Sequence, residues 1–111
     1  MTVNVALLCK VMEHIEAHPE EHDQAEWAEQ TACGTTYCFA GHTVLIAGWS
    51  LNFDEDGVAV SCRMDGESLL IPEAARLELG LNYYDTRDLF WHATTGAELR
   101  EIVDRISAQQ S

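Results

Sequence analysis

Basic side chains are scarce in this sequence. Six Lys+Arg stand against nineteen Asp+Glu in 111 residues, a formal net charge of −13. That balance repels phosphate backbones and anionic lipid surfaces, so direct nucleic-acid binding and membrane-surface binding are not expected. Long apolar runs are missing too: no stretch approaches the roughly 20 residues that a membrane span needs. The opening MTVNVALLCKVME has no basic segment and reaches charge too early for a secretory signal, so a cytoplasmic location is expected, the host cytoplasm for a phage product. There is no internal repeat and no low-complexity segment, and 47% of the residues are apolar. Wholesale disorder is therefore excluded, and the length fits one globular domain over residues 1–111.

Periodicity supplies the elements. Leu8, Val11, Met12 and Ile15 follow the spacing of one helix face over residues 2–17, with Thr2 as N-cap and Pro19 as the stop. HPEEHDQ reads as a polar connector, and Asp23 as the cap of a short helix carrying Trp27. Gly34 punctuates the chain, Thr35 or Thr36 caps the next helix, and Tyr37 to Ala47 is apolar or small on nearly every side. Such a helix belongs at the centre of the domain, where Ala40 and Gly41 would let another element approach closely. Alternation on both sides of Asp56-Gly57 predicts a β-hairpin over Trp49–Met64. Ile71 reads as a short third strand or a helix lead-in. Pro72 opens a helix ending at Gly80, Asn82 caps a short helix carrying Leu89, Phe90 and Trp91, and Thr95-Gly96-Ala97-Glu98 is a capping box for the last helix. The expected fold class is α+β, mostly α: five to six helices around a central buried helix at about 36–48, with one β-hairpin at about 49–64.

The sharpest local pattern is Cys33-Gly34-Thr35-Thr36-Tyr37-Cys38-Phe39-Ala40-Gly41-His42. Cys33, Cys38 and His42 could ligate zinc, but four residues separate the cysteines, where structural zinc sites usually open with a tighter pair. Cys62, His22 and Cys9 are the remaining candidates for a fourth ligand. In a reducing cytosol, structural disulfides are uncommon, and Cys38 reads more simply as core. Cys33 before a helix N-terminus could be an activated thiol with His42 as base, yet His42 lies about 10 Å further along the helix axis.

Other patterns have bland readings. His14 and His18 share a helix face, but Ile15 stands where a metalloprotease helix needs its glutamate, so a solvated polar face is preferred. Asn52-Phe53-Asp54-Glu55-Asp56-Gly57 is like the front of a calcium loop, but Arg63 occupies the position of the bidentate glutamate. Residues 72–92 suit a helix-turn-helix, yet Arg87 is alone beside Asp85 and Asp88. The acidic surface could mimic nucleic acid, or serve solubility alone. Trp49, Trp91, Tyr83, Tyr84 and Phe90 are core or partner-anchoring aromatics.

The run from Trp27 through the Cys-Gly-Thr-x-x-Cys-x-Ala-Gly segment to Ala47-Gly48 resembles a group of small uncharacterised proteins of actinobacterial phages and some bacteria. Ile71, Pro72, Ala74, Ala75, Leu79, Gly80 and Leu81 extend the likeness, which covers residues 8–92. The resemblance implies a cytosolic accessory protein and supplies no catalytic residue. The expectation is thus a non-catalytic protein without cofactor that acts on a host protein, with a homodimer also compatible. A zinc or thiol site at Cys33, Cys38 and His42, and an acidic nucleic-acid mimic, are the alternatives.

Overall fold

The computed structural model describes residues 3–32, 34–93 and 95–109. Helix α1, Val5–Ala17, is followed by a 3-10 turn at Pro19–Glu21, then strands β1, Ala28–Thr31, and β2, Gly34–Tyr37. Helix α2 is Phe39–Ile46. Strands β3, Ser50–Phe53, β4, Val58–Met64, and β5, Glu67–Leu70, come next. Helices α3, Ile71–Leu79, and α4, Tyr83–Arg87, a π-helical turn Asp88–His92 and helix α5, Gly96–Ala108, complete the chain.

The expected mostly helical domain with a single hairpin is overturned. Five antiparallel strands form one sheet, in the order β2-β1-β4-β3 with β5 also paired to β4. The expected hairpin is part of it, with β3 at the edge against β4 and a register shift at Asn52/Phe53. The helix expected to carry Trp27 is absent. Asp23 instead closes a turn by accepting from the Ala25 amide at 3.0 Å, and the chain runs into β1. Thr35 and Thr36 lie in β2 and cap nothing; they pair with Gln30 and Glu29. Strand β5 follows a two-residue turn in which both Asp65 (φ 50°) and Gly66 (φ 85°) are left-handed, and Met64 pairs with Glu67. That geometry matches the right-handed twist of the flanking strands. The acidic loop at 54–57 serves the hairpin as well: Asp54 Oδ1 accepts from the amides of Asp56 (2.8 Å) and Val58 (3.0 Å).

The central helix is shorter than the expected 36–48, because β2 runs to Tyr37 and α2 begins only at Phe39. Every residue from Phe39 to Val44 is buried, and α2 packs between α1 and α3. Its cap comes from afar. Gln24 Oε1 accepts from the Phe39 amide at 3.2 Å, while Gln24 Nε2 donates to the Leu89 carbonyl at 3.0 Å. One side chain therefore satisfies an orphan helix donor and anchors the π-helical turn. Gly41 faces the Trp27 carbonyl so closely that a Cβ there would stand 2.0 Å from the oxygen. The close approach expected at this glycine is observed.

Thr2 lies outside the described residues, and Asn4 caps α1 by accepting from Leu7. Gly80 (φ 70°) ends α3, Asn82 caps α4 and Thr95 caps α5, all as expected. The second helix of the 72–92 pair is shorter than expected: α4 stops at Arg87 and continues as the π-helical turn. Arg105 ties α5 to this region through Asp85 (3.1 Å) and Asp88 (3.3 Å). Arg100 ties it to α1 through Glu16. Among the described residues, no helix is long and apolar enough to cross a membrane.

Candidate metal centre

Four of the five histidines gather on one side of the molecule. His14 lies in the last turn of α1 and His18 is the residue that ends it, one turn on. Pro19 then turns the chain sharply, and the 3-10 turn folds Glu20 and Glu21 back over the end of the helix. His22 continues in a parallel bridge to Tyr37, supported by the Asp23 amide donating to the Tyr37 carbonyl at 2.9 Å. This backbone clamp lays the loop against β2, directly beside the first turns of α2. There His42 faces it: its ring centroid is 5.3 Å from His14, 6.1 Å from His22 and 4.9 Å from Tyr37.

The donor atoms converge. His14 Nε2 is 3.0 Å from Glu21 Oε1, and one donor atom each of His14, Glu21 and His42 lie within 4.8 Å of one another. At metal–ligand distances of 2.0–2.2 Å, donors at a tetrahedral ion stand roughly 3.3 Å apart, so the cluster is within a small side-chain adjustment of a coordination set. The His42 imidazole is 1% exposed, and its Nε2 has no hydrogen-bond partner. The ring donates a hydrogen bond to the backbone of Glu21. One of its two ring nitrogens lies within 4.8 Å of the His14 and Glu21 donors. Burial, and then the neighbouring His22 and His14, push the His42 pKa down to about 3, so the imidazole is neutral and available as a ligand. Burial also lowers His22. A groove of about 440 Å³ opens beside the centre, between His14 and Glu21 on one side and Thr35, Tyr37 and Leu45 on the other.

The sequence offers Cys33, Cys38 and His42 as an alternative donor set. Cys33 lies outside the described residues. Cys38 is buried at the N-terminus of α2, and burial pushes its thiol up to about 12, so it is neither thiolate nor nucleophile near neutrality. It belongs to neither of the convergent donor groups found among the described residues. Cys62 is likewise buried and raised to about 11, and donates weakly to the Leu69 carbonyl. Of the two members of that set that are described, His42 reaches the centre and Cys38 does not. His14 and His18, read from the sequence as a solvated face, line it together with Glu20 and Glu21.

A second surface feature lies apart from the histidines. Tyr83, Tyr84, Trp91 and Leu70 are exposed, and an apolar groove of about 510 Å³ runs between Leu70, Pro72, Tyr83 and Trp91. No protein-family model, curated protein or solved structure matches the chain.

Proposed function

We propose that this protein binds a divalent transition-metal ion, zinc by its donor chemistry, through His14, Glu21 and His42. The observation that carries this reading is His42, buried with an unpartnered Nε2, whose ring converges with the His14–Glu21 pair. A buried nitrogen without a partner costs on the order of 1–3 kcal/mol, and coordination removes that penalty. Two imidazoles and a carboxylate suit zinc among first-row ions. Three protein donors leave a position for water, or for a donor atom of another molecule, on the groove side. The net charge of −13 raises the local concentration of cations.

Two readings fall outside this proposal. The zinc or thiol set of Cys33, Cys38 and His42 is a separate reading, and of its described members only His42 belongs to a convergent donor group. A protein partner, in a host or bacterial cytoplasm, is favoured by the separate groove beside Tyr83 and Trp91.

Metal analysis of untagged protein, dialysed against zinc and then against metal-free buffer, tests the proposal. One or more equivalents are expected in the wild-type protein. His14→Ala and Glu21→Gln, both at partly exposed positions, are expected to lose the ion while keeping the native circular-dichroism spectrum. A wild-type protein that emerges metal-free, or variants that bind as well as wild type, would sink the proposal.

A further inference from the structure

We propose that the centre is dinuclear, with Glu21 as the carboxylate that bridges two ions; this rests on the metal reading above and extends it. The convergent donors form two groups, not one. The first is His14, Glu21 and His42; the second is His18, Glu20 and Glu21. Glu21 belongs to both, and its two oxygens are divided between them. Oε1 is 3.0 Å from His14 Nε2, while Oε2 is 4.0 Å from His18 Nδ1. Glu20 Oε1 completes the second group at 3.5 Å from the same His18 nitrogen.

A carboxylate whose oxygens each face a separate donor group is placed to bridge. Two-metal sites hold their ions about 3.5–4 Å apart, and one carboxylate can span that distance with an oxygen on each ion. The local chain geometry produces the division. His14 and His18 stand one helical turn apart on the same face of α1, so their imidazoles present donors at successive levels. Pro19 reverses the chain within one residue, and the 3-10 turn brings consecutive glutamates back to those levels. Consecutive side chains diverge, so Glu20 reaches only the outer histidine while Glu21 lies between the two.

The two positions differ in character. The inner one has two nitrogens and one oxygen and is part-buried around His42; the outer one has one nitrogen and two oxygens and is largely exposed. The inner ion is therefore bound first and more tightly. The outer ion keeps more of its water and exchanges faster, and its oxygen-rich set suits manganese as well as zinc. Two divalent ions bring four positive charges against the two carboxylates of Glu20 and Glu21.

Metal titration of the full-length, untagged protein after chelator treatment tests the proposal, with zinc followed by calorimetry and manganese by electron paramagnetic resonance. Two equivalents per chain are expected, in a tight step and a weaker one. At two equivalents of manganese the resonance of isolated ions is expected to give way to that of an exchange-coupled pair. His18→Ala and Glu20→Gln change exposed side chains and are expected to abolish the weaker step alone. Glu21→Gln removes the coupling and is expected to lose both ions. A single equivalent in the wild-type protein, unchanged by His18→Ala, would overturn the dinuclear centre and leave the single-ion reading standing. No binding at all would overturn both. Two equivalents without spin coupling, or a second equivalent that survives His18→Ala and Glu20→Gln together, would place the second ion elsewhere and also overturn it.

Discussion

Replacing Gly41 by alanine tests how the central helix is seated. A Cβ at this position would stand 2.0 Å from the Trp27 carbonyl oxygen and 3.2 Å from both the Trp27 carbonyl carbon and Tyr37 Cβ. Real Cβ atoms keep at least 3.0 Å, so α2 and the chain at Trp27 must separate by about 1 Å. The obstacle is backbone, so no side-chain rotation relieves it. The same carbonyl accepts from the Cys38 amide at 3.3 Å, a bond that the separation would weaken. Overpacking costs about 1–3 kcal/mol and the weakened hydrogen bond about 1 kcal/mol, while the helix preference for alanine over glycine returns at most about 1 kcal/mol. The expected net loss is about 2 kcal/mol. With an unfolding entropy of about 0.23 kcal/mol/K for a chain of this length, Tm falls by about 9 °C. Thermal melts in EDTA followed by circular dichroism measure it. Gly96→Ala is the control: Gly96 is in the first turn of α5, nothing lies within 4 Å of a Cβ there, and Tm is expected to hold or rise slightly. A Tm for Gly41→Ala equal to or above wild type would refute the seating of α2 against Trp27.

Other outcomes follow from the same geometry. Zinc at about 100 times its dissociation constant stabilises the fold by about 2.7 kcal/mol, a Tm gain of about 12 °C that EDTA reverses and His14→Ala abolishes; a melt insensitive to zinc in the wild-type protein would contradict the centre. His42 is held near 3 when folded and titrates near 6.5 when unfolded, so the unfolded chain binds the extra proton between those values. Its contribution to stability is present above about pH 6.5 and is lost as pH falls towards 3, at up to about 1.4 kcal/mol per pH unit. Urea midpoints of the metal-free protein between pH 7 and pH 5 report this slope, and a His42→Gln variant with an unchanged slope would count against it. Gln24→Ala removes the cap of α2 and the anchor of the π-helical turn together and is expected to cost about 1–3 kcal/mol in urea unfolding. A cost below about 0.5 kcal/mol would mean that water replaces both bonds.

The parts of the fold that bury one face at a regular period were legible beforehand. Helix α1 shows its core stripe at Leu8, Val11, Met12 and Ile15, and α5 shows Leu99, Val103 and Ile106. The caps Asn82 and Thr95 follow from side-chain chemistry alone. Strands β1 and β2 were not legible, because only Ala28 of their eight residues is buried and no apolar alternation exists to be read. Their stability comes from pairing to each other and to β4. The signals that could have revealed the missing strands were the Thr-Thr-Tyr run in β2 and the Asp65-Gly66 turn before β5.

The candidate centre was only half legible. The shared helix face of His14 and His18 is a local property of spacing. The fold-back after Pro19 that delivers Glu20 and Glu21, and the docking of α2 that delivers His42, depend on tertiary contacts between segments far apart in the chain. The cysteine segment drew notice through its density of reactive atoms, yet Cys38 is there to be buried. Density of reactive residue types is a weak guide when one of them opens the most buried helix of the domain.

The two indoles of Trp27 and Trp91 meet edge to face, with ring centroids 5.4 Å apart and planes at 84°. One belongs to the turn leading into β1, the other to the π-helical turn more than sixty residues later. Chromophores this near exchange excitation, so their ultraviolet transitions are shared by the pair and not owned by either ring. The molecule thus carries an intrinsic optical gauge across the junction of sheet and helices. A paired circular-dichroism band that vanishes when either tryptophan becomes phenylalanine would read the closure of that junction directly, without a label.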